Sequence, residues 1–535
     1  MKMLNDMKMY ARYARGLQGF LRHTISLAEA RAIVRRRMAE RETNFLHLLE
    51  RGIFANSRSP YRALVQHAGL EFADVVHLVR KHGIEGALER LYDAGVYVTL
   101  DEFKGRKPLE RPGLYLAIQP EDFDNPLLAR HYEARTGGSR GVGTRLLIDF
   151  DLLMHEAATH SLFLTAFAVV DRPMGLWRPL PPGLAGMKNL LRHAKLGRPV
   201  ERWFTQNRMT LRPETFKYLL FTIYTIYGSR LFGRPLPVPE YVPLAQASQV
   251  ARWLAMKKRV RTPAHLDTNA SSGVRVCLAA KEHGLDIAGT LFRFGGEPYT
   301  PAKYKVIAET GSRAVCHYSM AEIGHIGIAC AAPAFLDDVH LLKDKVAVIQ
   351  REKSVGTSGV SVGALIHTTL FLACPKIMLN VESGDYGELP ERSCGCPLEA
   401  LGFQQHLHTI RSYDKLTSEG MTFIGSDLII LIEEILPARF GGNPTDYQFV
   451  EEEDGGLPKV SILVSPRVGN VDETKLITTV LQTLRSSSNA NKMMADQWRK
   501  AQTLEVIRRE PYATDSAKIL PLHILKENNI SKTAK

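Results

Sequence analysis

The sequence predicts an α/β protein: a large N-terminal domain of β-sheets packed against helices, followed by a small α+β domain. Three observations carry this. From residue 273 the chain alternates VRVCLAAKEHGL, TLFRFGGEPYT and PAKYKVIAETGSRAVCHYSMAE. That reads as helix, strand, helix and strand, the order of an α/β core. From residue 420 onward a compact helix-strand-strand-helix pattern runs through DLIILIEEIL, DYQFVEEE, KVSILVSP and ETKLITTVLQTLR. Finally, 535 residues with 45% hydrophobic content suffice for a large core and a second, smaller one.

Residues 1–55 read as a helical extension, with Ala, Leu, Arg and Glu at amphipathic spacing through AEARAIVRRRMAERETNFLHLL. The triple arginine at Arg35 to Arg37 reads as an exposed helix face. Short helices follow in SPYRALVQHAGL and EFADVVHLVRKHGIEGALERLYDAG, punctuated by Pro60, Gly69 and Gly95. Residues 150–262 are aromatic, basic and read as helical, with breaks at Pro179 to Pro182 and Pro235 to Pro243. After residue 355, GALIHTTLF and KIMLNVESGDYGEL read as strands, with Ser383, Gly384 and Asp385 in a turn. The tail after Leu525, KENNISKTAK, is polar and reads as frayed.

Six cysteines in a chain of this length do not form a disulfide framework, and a reducing, cytoplasmic setting is expected. The N-terminus has charges throughout and no apolar signal region. A membrane span needs about 20 uninterrupted apolar residues. Tyr218 to Tyr227 is too short, and Val362 to Val381 is broken by His367, Pro375 and Lys376, so both read as core. The net charge of +13 is concentrated: between Arg172 and Arg261 stand 17 Lys or Arg against Glu201, Glu214 and Glu240, a surplus of 14. Such a surplus suits an anionic partner, a membrane surface or a phosphorylated ligand, and equally a solvated helical insert. No nucleic-acid partner is expected.

Within this frame some stretches carry chemistry. HYEARTGGSRGVGTRLLIDFD gathers Gly137, Gly138, Gly141 and Gly143 with Thr136, Ser139 and Arg140 ahead of an apolar run. Glycines let backbone N–H groups converge on an anion, so this suits a phosphate loop, a plain hairpin turn being the other reading. The turn FGGEP and the motif HYSMAE fall at successive strand ends, where α/β sheets bind ligands. Cys330 and His340, with the later Cys394 and Cys396, offer three thiolates and an imidazole, a good tetrahedral zinc set; buried free thiols are the alternative.

Six signals occur in one order: Thr136 to Gly143, GGEP, HYSMAE, SGD at Ser383 to Asp385, IRSYDK at Ile410 to Lys415, and TDSAKIL at Thr514 to Leu520. On these the chain resembles the adenylate-forming superfamily of acyl-CoA synthetases, and within it the phenylacetate-CoA ligase branch, over residues 55–525. The resemblance implies a large AMP-binding domain over residues 1–410 and a small mobile domain over 411–535, with a hinge at Asp414. It implies ATP-dependent activation of an aryl or acyl carboxylic acid to an adenylate, then thioesterification to CoA with release of AMP and pyrophosphate.

Negative charge gathers at phosphorus and pyrophosphate in that reaction, so an ammonium and a magnesium ion are natural stabilisers. Lys518 is the ammonium and Glu322 the magnesium carboxylate. By the resemblance, Thr136, Gly138, Ser139, Arg140 and Gly141 hold phosphates. Gly296, Glu297, Pro298, His317 and Tyr318 meet the adenine, and Asp385 and Arg411 the ribose or phosphate. Members of that branch bind structural zinc through a similar Cys, His and Cys-x-Cys set, which favours zinc at Cys330, His340, Cys394 and Cys396. Other readings are transfer of the acyl group to a phosphopantetheinyl carrier protein or another protein, and a nucleotide-binding homologue without catalysis. The last is motivated by Val142 at a usual lysine of the phosphate loop, Ala321 at a hydroxyl position and Tyr413 at the first hinge aspartate. Ala517 likewise stands at a glycine position before the lysine.

Overall fold

A computed structural model describes residues 2–135, 144–208, 213–260, 262–355, 360–413, 417–418, 421–422, 425–454, 457–487, 504–514 and 517–525. Twelve strands form one large sheet. Its parallel half runs Pro239–Tyr241, Arg202–Thr205, Met174–Trp177, His265–Thr268, Leu291–Gly295 and Arg313–Met320. From that last strand the sheet continues antiparallel through Gly324–Ala329, Val339–Leu341, His406–Ser412, Val381–Glu388, Val360–Thr369 and Val346–Val355. Arg313–Met320 therefore belongs to both halves, and the residues at its end sit where the two hydrogen-bonding patterns meet.

The parallel strands are covered on both faces, which is why Met174–Trp177 and His265–Thr268 are buried along their whole length. On one face Trp177, Phe204, Leu266, Phe292 and Phe294 pack against helices Ala247–Val260 and Ala270–Glu282. On the other, Met174, Leu176 and Trp203 meet helices Phe150–Ala166 and Leu184–Lys195 through Leu153, Leu190 and Leu191. The antiparallel half packs against the early helices, with Val79, Leu88 and Leu91 of Phe72–Asp93 set on Val346, Val348 and Leu365.

Two expectations are corrected. Residues 150–262 are not wholly helical, because Met174–Trp177, Arg202–Thr205 and Pro239–Tyr241 are strands that extend the sheet to its edge. At three or four residues each, they are too short to print a period-two pattern. Ser383, Gly384 and Asp385 lie inside strand Val381–Glu388 rather than in a turn, where the pairing with Val360–Thr369 slips and Gly384 takes φ +77°. The slip is a bulge, and the positive φ is what glycine supplies there.

The small domain holds a four-stranded sheet in the order Leu504–Arg508, Leu457–Val464, Tyr447–Asp454, Leu522–Leu525. Its core joins Phe449 and Ile462 to Leu428, Leu431 and Ile432 and to Leu476, Val480 and Leu484 of helix Glu473–Ser487. The outer strands pair in parallel with the central hairpin. The sequence reading missed both, since LEVIR and LHIL are brief and lack alternation.

The basic segment also departs from a simple surface patch. Arg178, Lys188, Arg192 and Lys195 are all buried. Lys188 Nζ lies 3.0 Å and Arg192 Nη1 3.8 Å from the carboxylate of the fully buried Glu156. Burial pushes the Glu156 carboxyl up, but Lys188, Lys345 and Arg192 outweigh it and hold it down at about 2. A folded value below the unfolded one means stability that is complete above the unfolded pKa of about 4.3 and lost as the pH falls towards the folded value. Glu156→Gln is therefore expected to cost about 3 kcal/mol at neutral pH by leaving buried cations unpaired. In denaturant titrations at stepped pH, the gap between wild type and variant narrows from pH 4.5 down to about 2; a gap independent of pH would refute the pairing.

Candidate active site

Three parallel strands bring the expected residues to one edge. Leu291–Gly295 ends at the FGGEP turn, and Gly296 takes φ +83° there. A side chain at Gly296 would collide with Lys518, whose Nζ lies 2.6 Å from where its Cβ would be. The missing side chain is thus the seat of Lys518.

Glu297 fixes that seat. Its Oε2 accepts the Ser271 amide at 2.7 Å, and its Oε1 accepts the Ser271 hydroxyl and the Ile519 amide, both at 2.9 Å. Ser271 opens helix Ala270–Glu282, whose N-cap Asn269 gives no side-chain cap, so Glu297 supplies the anion that a helix N-terminus favours. The same carboxylate holds the residue after Lys518. The lysine turn closes on itself through Thr514, whose hydroxyl accepts the Lys518 amide at 3.1 Å, while Ala517 takes φ +60°. Glycine would adopt that angle without the roughly 1–2 kcal/mol that a Cβ adds.

Other polar contacts hold the small domain on the large one. Lys303 Nζ donates to Glu433 Oε1 at 2.6 Å, the Thr300 hydroxyl donates to Glu433, and Arg275 reaches Glu510 at 3.5 Å. None of these partners was singled out from the sequence, because each pair joins segments more than 100 residues apart with no local pattern.

At the next strand end the Tyr318 hydroxyl donates to Asp385 Oδ2 at 2.9 Å. Burial, then the Asp385 charge, push the Tyr318 phenol well above its ordinary value, so it stays a donor. Asp385 lies opposite Ser412, and its neighbour Tyr386 opposite Arg411. Arg411 is tied at 2.9 Å to Asp337, which also accepts the amides of Thr409 and Ile410. Glu322 is buried and pairs with Lys104 Nζ at 2.5 Å. Burial pushes its carboxyl up, but Lys104 overrides this and holds it below the usual carboxylate range. Lys104 also donates to Thr144 at 3.3 Å. Its role was invisible in the sequence, 218 residues from its partner.

His317 departs from the nucleotide set in which the sequence placed it. Alternation along the strand turns it to the face opposite Tyr318. There its Nδ1 lies 3.1 Å from the Ala329 amide and 3.0 Å from the Cys316 carbonyl, and its ring meets Phe163 and His325. Thr136, Gly138, Ser139, Arg140, Gly141 and the hinge Asp414 lie outside the described residues.

Behind Tyr318 the cysteines converge. Ligand atoms of Cys330, His340, Cys394 and His406 all lie within 4.8 Å of one another. Cys396 Sγ sits 3.2 Å from His340 Nε2, and the Cys396 amide donates to Cys394 Sγ at 3.4 Å. His340 Nδ1 is 2.7 Å from the Phe403 carbonyl, so it carries the proton and leaves the Nε2 lone pair facing the sulfurs. His406, cross-strand neighbour of His340, spends its Nδ1 on Asp338 at 2.7 Å, and its buried Nε2 has no partner. A histidine oriented by a carboxylate with its other nitrogen free is how proteins present an imidazole to a metal. The four converging donors, Cys330, His340, Cys394 and His406, thus fit a tetrahedral ion: His406, a lone histidine that the sequence did not signal, stands in this set where the sequence had placed Cys396.

No family model matches the chain, and no curated protein matches its sequence. By structure, the chain is similar to 2-hydroxyisobutyryl-CoA ligase in the postadenylation state in complex with R3-HIB-AMP. The TM-score is 0.54 at 14% identity, covering 95% of this chain and 92% of that one. The same ligase with 2-HIB-AMP and CoA in the thioesterification state aligns at TM-score 0.46 and 14% identity, over 95% and 92% of the two chains. Acetoacetyl-CoA synthetase from Streptomyces lividans aligns at 0.41 and 11%, over 72% and 52%. The chain thus shares the fold of 2-hydroxyisobutyryl-CoA ligase over nearly its whole length.

Because Glu297 is the acceptor of the Ile519 amide, Glu297→Ala is expected to speed hydrogen exchange there about tenfold or more, from the loss of a charged hydrogen bond. Amides of the paired strand Leu522–Leu525 serve as the internal control and should keep their protection. An unchanged Ile519 rate would mean that the carboxylate does not hold the loop.

Proposed function

We propose that this chain is an ATP-dependent carboxylic acid ligase: it joins an acid to the α-phosphate of ATP, releases pyrophosphate, and passes the acyl group to a thiol, CoA first among the candidates. The observation that carries the reading is Lys518 seated on Gly296 and locked by Glu297, beside the strand end that holds Tyr318 and Asp385. An ammonium on a small domain, delivered to the turn at the C-terminal end of a parallel strand, is placed to meet charge developing on a phosphate bound there.

In this reading Tyr318 presents its ring to the adenine while its hydroxyl orients Asp385, leaving the second carboxylate oxygen for ribose hydroxyls. Glu322, kept ionised by Lys104, suits magnesium, which when bound offsets triphosphate charge. The contacts through Glu297, Glu433 and Glu510 are few and polar, as a domain that must release Lys518 for the second half-reaction requires. The likeness to the phenylacetate-CoA ligase branch is supported by the Cys and His cluster, whose fit to zinc rests on the His340 and His406 orientations above. Such a site is closed and structural, bracing the segment that follows Glu322.

Carboxylate-dependent exchange of labelled pyrophosphate into ATP tests the reaction. Lys518→Ala should lower the exchange at least about a hundredfold, while thioester formation from a synthetic adenylate and CoA is reduced far less. Equal loss of both steps, or no exchange with any acid of a broad aryl and aliphatic panel, would refute the reading. For the metal, elemental analysis of purified protein should give about one zinc per chain. Cys330→Ser should abolish it with loss of thermal stability. Well-folded protein purified without metal would sink the zinc assignment.

A further inference from the structure

Beneath the edge that carries Gly296 and Tyr318 lies an unusual interior. Strands His265–Thr268, Leu291–Gly295, Arg313–Met320 and Gly324–Ala329 form its floor, and helices Phe150–Ala166 and Leu184–Lys195 its roof. Four buried cations, Arg178, Lys188, Arg192 and Arg293, face two buried carboxylates, Glu156 and Asp267. Glu156 takes Lys188 and Arg192; Asp267 takes Arg178 Nε at 2.6 Å and pairs with Arg293. Lys345 Nζ comes up behind, donating to the His325 carbonyl at 3.2 Å.

The histidines do not add to this charge. Burial, followed by the neighbouring arginines, holds His317 and His325 well below the ordinary imidazole range. His325 is accordingly an acceptor for Arg192 Nη1 at 3.0 Å. Asn189 Oδ1 is shared by Arg192 and by Arg293 Nη2, the latter at 2.8 Å. After all these pairings two buried guanidinium N–H groups, Arg192 Nε and Arg293 Nε, lack an acceptor. A water could satisfy an N–H, but it cannot offset two surplus buried charges, and uncompensated buried ions are strongly destabilising. The missing component has the chemistry of an anion.

Its place in the fold says which anion. Arg178 Nη2 lies 3.8 Å from where a Cβ on Gly295 would be, next to the seat of Lys518, and His317 precedes Tyr318 in the chain. The cluster therefore begins directly behind the reacting edge. We infer that the acid activated by this protein carries a second anionic group, a carboxylate in the simplest case, which is received by Arg192 and Arg293 while the first meets Lys518. This rests on the acid-ligase reading above and names its substrate class.

The test compares dicarboxylic acids of graded length, aliphatic and aromatic, with their monomethyl esters, in two assays on the full chain: pyrophosphate exchange and thermal unfolding. The dicarboxylates are expected to exchange with KM about ten- to a hundredfold below that of their esters, the worth of one or two charged hydrogen bonds, and to raise the unfolding midpoint without ATP. Arg192→Met should shrink the KM gap to about twofold with kcat changed far less, and Arg192→Lys should restore part of it. If Arg192→Met fails to fold, the wild-type comparison alone decides. Exchange with the esters but no preference for or stabilisation by the diacids would overturn the inference and leave the ligase reading standing. Stabilisation by diacids without exchange would do the reverse. Stabilisation by inorganic phosphate or chloride equal to that by the diacids would assign the cluster to a resident inorganic ion and overturn the substrate class.

Discussion

The carboxylate of Glu297 is the interaction on which the arrangement of the site depends. One oxygen meets the first turn of helix Ala270–Glu282, and the other meets the loop that carries Lys518. The helix belongs to the large domain and the loop to the small one, so a single anion joins the sheet, a helix N-terminus and the lysine. Hydrogen bonds to an ionised acceptor are about twice as strong as neutral ones, so this carboxylate holds the loop more firmly than a neutral acceptor would. Glu433 and Glu510 repeat the device at a distance, each carboxylate of the small domain meeting a basic side chain of the large one.

The second constraint lies at the strand shared by the two halves of the sheet. Arg313–Met320 is parallel to one neighbour and antiparallel to the other, and its register with Gly324–Ala329 slips between Tyr318 and Ser319. Tyr318 is thereby held against Asp385, while Glu322 turns inward to Lys104. The cysteine and histidine cluster sits just beyond, drawing the ends of Gly324–Ala329, Val339–Leu341 and His406–Ser412 to one point. Because Arg411 and the Asp385 partner Ser412 lie on the last of these strands, the cluster fixes the floor under the Tyr318–Asp385 pair.

The positive surplus of the chain takes on a different meaning once its depth is known. Read along the sequence, residues 172–261 offer a basic surface. In the fold Arg178, Lys188, Arg192 and Lys195 are inside, and the first three gather with Arg293 under the site. Lys195 stands apart, donating to the Phe20 carbonyl at 3.0 Å and binding the N-terminal helix to the domain. Charge of one sign has thus been divided between structural ties, a cluster beneath the Gly296–Tyr318 edge, and surface side chains such as Arg198 and Arg252.

The sequence by itself determined the α/β class, the small C-terminal α+β unit and the local signals at GGEP, HYSMAE and TDSAKIL, because each is written in neighbouring residues whose spacing sets a turn or a strand end. It also placed Cys330, His340 and the Cys394–Cys396 pair in one candidate set, since donor type is a property of the residue. What it could not give was partnership across long stretches of chain. Lys104 on Glu322, Glu433 on Lys303, His406 in the cysteine and histidine cluster and Arg293 beside Arg192 have no local signature, and only the packed sheet and helices bring them together. Facing was likewise decided by the fold: His317 and Tyr318 are adjacent in sequence, but a strand sends alternate side chains to opposite faces, one towards the buried cations and the other towards Asp385.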